Sequence, residues 1–228
     1  PCRPAGQEHG ERRRGRWRRL SGRPALRPLP PDFYARAADE VARDLLGAVL
    51  VSTVGGALVS GRIVETEAYL GPHDPASHAA ERIGRTARNA AMFGPPGIAY
   101  VYRIYGLHWC LNAVTGEEGY PAAVLIRALE PLHGIEVMRR RRRRGRAPAG
   151  NAGVRPEREL TAGPARLAEA LAIDGSLNGH PLQDPPLVLA AGEPVHPAEV
   201  EAAPRIGVTR AADWPLRFFI RGNPWVSR

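Results

Sequence analysis

The chain contains no lysine: all 32 of its basic residues are arginine. Chemistry that begins with a Schiff base on a side-chain amine is thereby excluded, and only the chain terminus could supply an amine nucleophile. Cysteine is almost absent too. Cys2 lies in an Arg-rich leading segment and Cys110 in an apolar run, which gives neither a disulfide framework nor a zinc-ligand spacing. A reduced, cytoplasmic protein with no metal and no other cofactor is expected. No run of about 18 apolar residues is present, and no apolar stretch follows the arginines at the start, so neither a membrane span nor a signal peptide is expected. Phosphate loops of the Walker type, a Gly-x-Gly-x-x-Gly after a strand and a Gly-x-Ser-x-Gly elbow are also missing, which removes several common enzyme classes.

What is present is a chain of 228 residues, 43% of them hydrophobic and 6% aromatic, enough to bury one sizeable core. The formal charge of +9 suits a surface that neutralises phosphates. An Ala/Arg/Gly/Pro-rich composition also follows from GC-rich coding, so charge alone does not identify a nucleic-acid partner. Residues 1–30, with arginines among Pro and Gly, read as a disordered tail, and residues 31–228 as one folded domain.

Hydrophobic period and turn residues set the expected elements. Asp32 is read as the N-cap of a helix reaching Leu46, with Ala37, Val41 and Leu45 on one stripe and Gly47 as its stop. Ala48–Thr53 and Ala57–Thr66 read as strands of a hairpin turning at Gly55-Gly56. Thr86 caps a short expected helix to Met92, and Gly94-Pro95-Pro96-Gly97 then turns the chain. Ile98–Tyr105 and Trp109–Thr115 read as strands joined at Gly106, and Ala122–Leu129 as a third. Helices are expected over His133–Arg144 and Pro164–Ile173, short strands near Leu187, Ile206 and Phe218, and a flexible loop over Gly145–Arg155. That order is an α+β mixture rather than a βαβ alternation.

Three groups of residues could carry chemistry. On a strand through Gly61–Pro72, the period of two places Glu65, Glu67 and Tyr69 on one face, a carboxylate beside an aromatic where a general base and a flat ligand could meet; an exposed polar edge is the alternative. In Ile98–Trp109 the same alternation puts Tyr100 and Tyr102 on one face and Arg103 and Tyr105 on the other, with the turn at Tyr105-Gly106 free to project a wedge; simple core packing is the alternative. Arg127 lies inside an apolar strand, where it either points outward or finds a carboxylate, for which Glu67 is the natural candidate. His73 and His78, five apart, follow neither a helical nor a strand repeat and do not make a metal pair. The arginines from Arg139 to Arg144 form either a solvated helix face or a phosphate contact.

Together the segments Gly61–Pro72, Arg88–Phe93, Tyr100–Gly106 and Arg221–Ser227 resemble the alkyladenine (3-methyladenine) DNA glycosylase family, in the family's order and over roughly residues 33–227. The resemblance implies a single mixed α+β domain, a curved antiparallel sheet with surrounding helices and a protruding β-hairpin that enters the minor groove of damaged double-stranded DNA. Glu67 matches the family's general base. Arg127 and the backbone carbonyl of Ile206 match groups that hold its attacking water. Tyr69, His78 and Tyr102 match the base pocket, the two tyrosines enclosing the purine. Asn112 matches a residue bearing on which purines fit, and Tyr105 matches the intercalating wedge. The implied activity is release of alkylated purines without strand cleavage, by a monomer acting at the nucleoid. Departures at Leu107, His108 and Asn223 bear on the choice of lesion. The alternatives are a non-catalytic binder of single-stranded or distorted DNA and, more remotely, a metal-dependent hydrolase at His73 and His78.

Overall fold

A computed structural model describes residues 27–143 and 156–227. Cys2, most of the expected tail and the loop 145–155 lie outside the described residues. Residues 27–30 of that tail are described, and they pack: Leu29 is buried, its N–H donating to the carbonyl of Leu189 at 2.9 Å.

Eight strands form one antiparallel sheet: β1 (Val49–Ser52), β2 (Val59–Tyr69), β3 (Ala99–Ile104), β4 (His108–Thr115), β5 (Ala122–His133), β6 (Leu187–Ala190), β7 (Val200–Ala203) and β8 (Arg217–Ile220). The spatial order is β3-β4-β5-β2-β1-β6. Strand β2 is long enough to serve two partners on one edge, β1 along its first half and β8 along its second, and β7 adds to β8. Helices α1 (Pro31–Tyr34), α2 (Ala38–Asp44), α3 (Ile135–Arg143) and α4 (Pro164–Leu171) complete an α+β fold as expected. Among the described residues no helix is long and apolar enough to cross a membrane.

The expected helix from Asp32 to Leu46 is two helices. Its first N-cap is Pro30, with Asp32 inside the first turn, and Ala37 adopts an extended ψ of 140° between α1 and α2. The Arg36 side chain holds this break by donating to the Phe33 carbonyl and to Asp44. The second helix ends at Asp44 with Leu45 as its C-cap, before the expected stop at Gly47, which turns the chain at φ 88° where an added Cβ would lie 2.1 Å from the Glu193 carbonyl oxygen. Thr86 does cap, its hydroxyl accepting the Asn89 N–H while its own N–H donates to Asn89 Oδ1, but only a 3₁₀ turn, Ala90–Phe93, follows. The strand expected near Ile206 lies earlier, at β7, and Ile206 sits in the loop that follows. Strand β5 runs beyond Leu129 to His133.

The two faces of the sheet differ. On one, Leu50, Ile63, Ala68, Leu111, Val124, Ile126 and Leu129 join α2 and α4 in the main core. On the other, Tyr100, Val114 and Ala123 pack under the connection 70–98 with Ala79 and Met92. Strands β2 and β5 change pleat phase where they pass each other. Ile63 pairs with Leu129, Glu65 with Ala128 and Thr66 with Ile126, so one extra residue is accommodated first on β2 and then on β5. Ile63 therefore faces the core while Glu65 and Glu67, of the same parity, face away from it. Thr66 points back, its hydroxyl donating to the Ala42 carbonyl in α2 at 2.8 Å. Without this paired irregularity both carboxylates would enter the apolar layer, where an unpaired charge costs several kcal/mol.

Candidate active site

Over the second face opens a cleft of about 440 Å³, with walls that include Glu67, Tyr69, His78, Tyr100, Tyr102, Tyr105, Cys110, Asn112, Arg127 and Ile206. Every site residue that the resemblance implied is among them, brought from β2, β3 and the turn after it, β4, β5, the connection 70–98 and the loop after β7, whereas Glu65 and Arg103 do not line the cleft. Such a concave cavity with flat aromatic walls and few polar groups suits a planar ligand.

Glu67 is fully buried. Its Oε1 accepts the Ile206 N–H at 2.7 Å and lies 3.1 Å from Arg127 Nη1; its Oε2 accepts the Tyr69 hydroxyl at 3.1 Å. Burial pushes the carboxyl above its ordinary value, against the pull of Arg127, the Ile206 amide and the Tyr69 hydroxyl, while nearby Glu65 adds to the rise. Ile206 reaches Glu67 through its amide nitrogen; its carbonyl is the group that the resemblance named for the attacking water.

Arg127 does point inward, and it finds two carboxylates rather than one. Its Nε donates to Glu65 Oε1 at 3.1 Å, Nη1 meets Glu67, and Nη2 donates to the Ser227 hydroxyl at 3.2 Å. Burial opposes its charge, and Glu67 and Glu65 more than restore it, so it stays a cation. Glu65, also fully buried, further accepts from Arg217 Nη1 at 3.1 Å and from the Ser227 N–H at 2.7 Å.

The aromatic wall is built on β3. Tyr100 and Tyr102 stack with ring centroids 5.3 Å apart, and the His78 ring meets Tyr102 edge-on at 4.4 Å while Nδ1 lies 2.9 Å from the Tyr100 hydroxyl. Burial, with a smaller push from Arg88, lowers the His78 pKa to about 4, so the ring is neutral at neutral pH. Burial also drives the Tyr69 and Tyr102 hydroxyls up, and both remain protonated donors. Asn112 is buried on β4 and donates to the Tyr100 carbonyl at 3.1 Å.

Tyr105 is not on the Arg103 face. Strand β3 ends at Ile104, and Tyr105 turns out with φ 51°. It is 85% exposed and Leu107 is 73% exposed, so two large apolar groups crown the hairpin tip around Gly106. His73 lies at the surface against Glu81, away from His78 in the cleft wall.

Sequence reasoning missed a second buried ion pair. Arg205 and Asp74 are both fully enclosed; Nη2 meets Asp74 Oδ1 at 2.9 Å, Nη1 meets Oδ2 and also the Ala68 carbonyl at 3.0 Å, and the guanidinium lies 4.9 Å from the centre of the Tyr69 ring. Asp74 also accepts the N–H groups of Leu70 and Ala76. The pair thus joins the loop carrying the Tyr69 wall to the loop carrying Ile206. Neither residue belongs to a periodic segment, and the only local signal was an Asp and an Arg each beside a turn.

Residues 32–224 match the family model described as methylpurine-DNA glycosylase. A protein of Rhodopseudomonas palustris is 49% identical over 203 residues, covering 88% of this chain and 90% of its own. Relatives from Carboxydothermus hydrogenoformans and Methanoculleus marisnigri are each 47% identical and cover 88% of this chain and 98% of their own lengths. All three are provisionally named 3-methyladenine DNA glycosylase.

Proposed function

The chain belongs to the methylpurine-DNA glycosylase family and is a DNA glycosylase, and from that premise we propose that it turns an alkylated purine, 3-methyladenine and 7-methylguanine among them, out of duplex DNA into the cleft and hydrolyses its bond to the sugar. The observation that carries this reading is the fully buried Glu67 carboxylate, held by three donors at the wall of an aromatic cleft.

Among the described residues two donors occupy Glu67 Oε1, whereas Oε2 receives the Tyr69 hydroxyl alone and keeps a lone pair for a water molecule. Glu67 takes a proton from that water as its oxygen bonds to the anomeric carbon. The C–N bond breaks, its electron pair leaves with the purine, and the carboxylate steadies the oxocarbenium-like sugar meanwhile, as in glycoside hydrolysis. A ring-alkylated purine is already cationic and departs without an acid. Tyr69 and Tyr102 offer electron-rich faces to it, with His78 and Asn112 at its edges.

A base within the stack is out of reach, and turning it out costs a few kcal/mol, least for a damaged base. The exposed Tyr105, carried on a two-stranded ribbon, fills the gap left behind and offsets that cost. A surface that only bound DNA would have no use for a desolvated carboxylate beside its rings. The chain has no lysine to form an imine with the sugar, which supports water as the nucleophile and an abasic product left intact.

The test is release of purine from a methylated duplex by the intact protein and by Glu67→Gln, both with a chelator present. Release of 3-methyladenine by the intact protein alone supports the assignment. Equal release by the variant removes Glu67 from the mechanism, and no release by a folded, duplex-binding protein favours a binding role.

A further inference from the structure

Glu65 has no place in the mechanism above, yet it is as deeply buried as Glu67 and, like it, held by three donors. It does not line the cleft. It lies behind Arg127, at the point where β2 and β5 both change pleat phase. Its Oε1 takes Arg127 Nε and Arg217 Nη1, each at 3.1 Å, and its Oε2 takes the Ser227 N–H at 2.7 Å. Ser227 closes the loop by accepting Arg127 Nη2 on its hydroxyl at 3.2 Å.

A guanidinium is a rigid planar fork, so anchoring two of its nitrogens fixes the direction of the third. Here Nε and Nη2 are anchored from behind, by Glu65 and Ser227, and Nη1 is the nitrogen that meets Glu67. An arginine facing Glu67 alone would be free to swing within its cavity.

We propose that Glu65 is a positioning residue for the glycosylase reaction: with Ser227 it holds the Arg127 guanidinium at one angle, so that Nη1 holds the Glu67 carboxylate in line with the attacking water. The proposal rests on Glu67 being the base. The groups facing Glu67 are Arg127 from β5, Glu65 and Tyr69 from β2, the Ile206 amide with Arg205 behind Tyr69 from the loop after β7, and Cys110 from β4. Glu65 also balances the charges of Arg127 and Arg217. Glu65→Gln removes that balance and the carboxylate charge beside Glu67, so Arg127 favours ionised Glu67 more strongly even as its orientation loosens.

The experiment measures single-turnover release of methylated purine against pH, and affinity for the same duplex, for the intact protein, Glu65→Gln, Ser227→Ala and Glu67→Gln. Glu65→Gln is expected to lower the plateau rate by about a hundredfold, the cost of a small misplacement of a reacting group. Its duplex affinity stays at the intact protein's value and its acid limb moves to lower pH. Ser227→Ala, which removes one half-buried hydroxyl and leaves the amide, lowers the plateau by a smaller factor. A folded Glu65→Gln with the intact protein's rate overturns the proposal, as does a lower rate with an unmoved acid limb, which would mark a structural role only. If Glu65→Gln fails to fold, Ser227→Ala decides: an unchanged rate overturns the proposal and a lowered one supports it. Undiminished release by Glu67→Gln would instead remove the base assignment on which the proposal stands.

Discussion

The amide of Ile206 donates to Glu67 Oε1 at 2.7 Å across 139 residues of chain. With Arg127 on the same oxygen and Tyr69 on the other, the carboxylate is oriented by three different parts of the fold. Its geometry is set before any DNA arrives, as an efficient proton acceptor requires.

Glu67→Gln keeps the shape of the side chain and loses the basic oxygen. Purine release should fall by about 10²–10⁴-fold, the usual contribution of a general base, while binding to a lesion-bearing duplex persists. Single-turnover release and a binding titration on one duplex separate the two effects.

The pH profile carries the sign of the Glu67 shift. As the proposed base Glu67 would act ionised, and burial raises its carboxyl above the ordinary 4.5, so activity should be lost on acidification at a higher pH than a free glutamate would give. A profile of release rate against pH reads this directly; a limb at or below the ordinary value contradicts it.

His78 gives a stability signature of its own. Its folded pKa, about 4, lies below the ordinary 6.5, so between these values the unfolded chain binds a proton that the folded chain does not. Stability should therefore fall as pH drops from 6.5 toward 4. Replacing His78 by Gln should flatten that part of a denaturant-midpoint profile.

Tyr105→Ala alters an exposed tip, and surface changes of this kind move stability by only about 0.5 kcal/mol or less. Release from duplex DNA should nevertheless drop, because the gap in the stack goes unfilled. A fluorescent base analogue opposite or beside the lesion should report less unstacking with the variant than with the intact protein.

Asp74→Asn breaks an ion pair with both partners fully enclosed, and stranding one buried charge costs about 3–5 kcal/mol. Chemical denaturation should show that loss. In the protein that remains folded, release should slow as well, since Arg205 supports Tyr69 and precedes Ile206 in the chain.

Much of this site was legible in the linear sequence. Alternation along Glu65, Glu67 and Tyr69 placed them on one face, and an arginine within the apolar run of β5 named a carboxylate partner as one of its two readings. The hairpin at Gly106 and its strands also followed from local pattern. Tyr105 did not obey that pattern, because a left-handed turn residue leaves the strand's alternation. The single helix read over 32–46 failed for a related reason: its apolar stripe persists across a break that the Arg36 side chain stabilises.

By itself, then, the sequence determined most of the strands, the hairpin, the lack of a lysine nucleophile and the residue types that meet in the cleft, because steric preference and apolar period act between near neighbours. Only the tertiary structure decided that the pleat of β2 and β5 reverses beside Glu65, turning two carboxylates away from the core. It alone paired Asp74 with Arg205, 131 residues away, and brought Ser227 to Glu65 across 162. Those partners lie in loops without period, and which buried donor meets which acceptor is settled when the loops pack and each desolvated polar group must be satisfied.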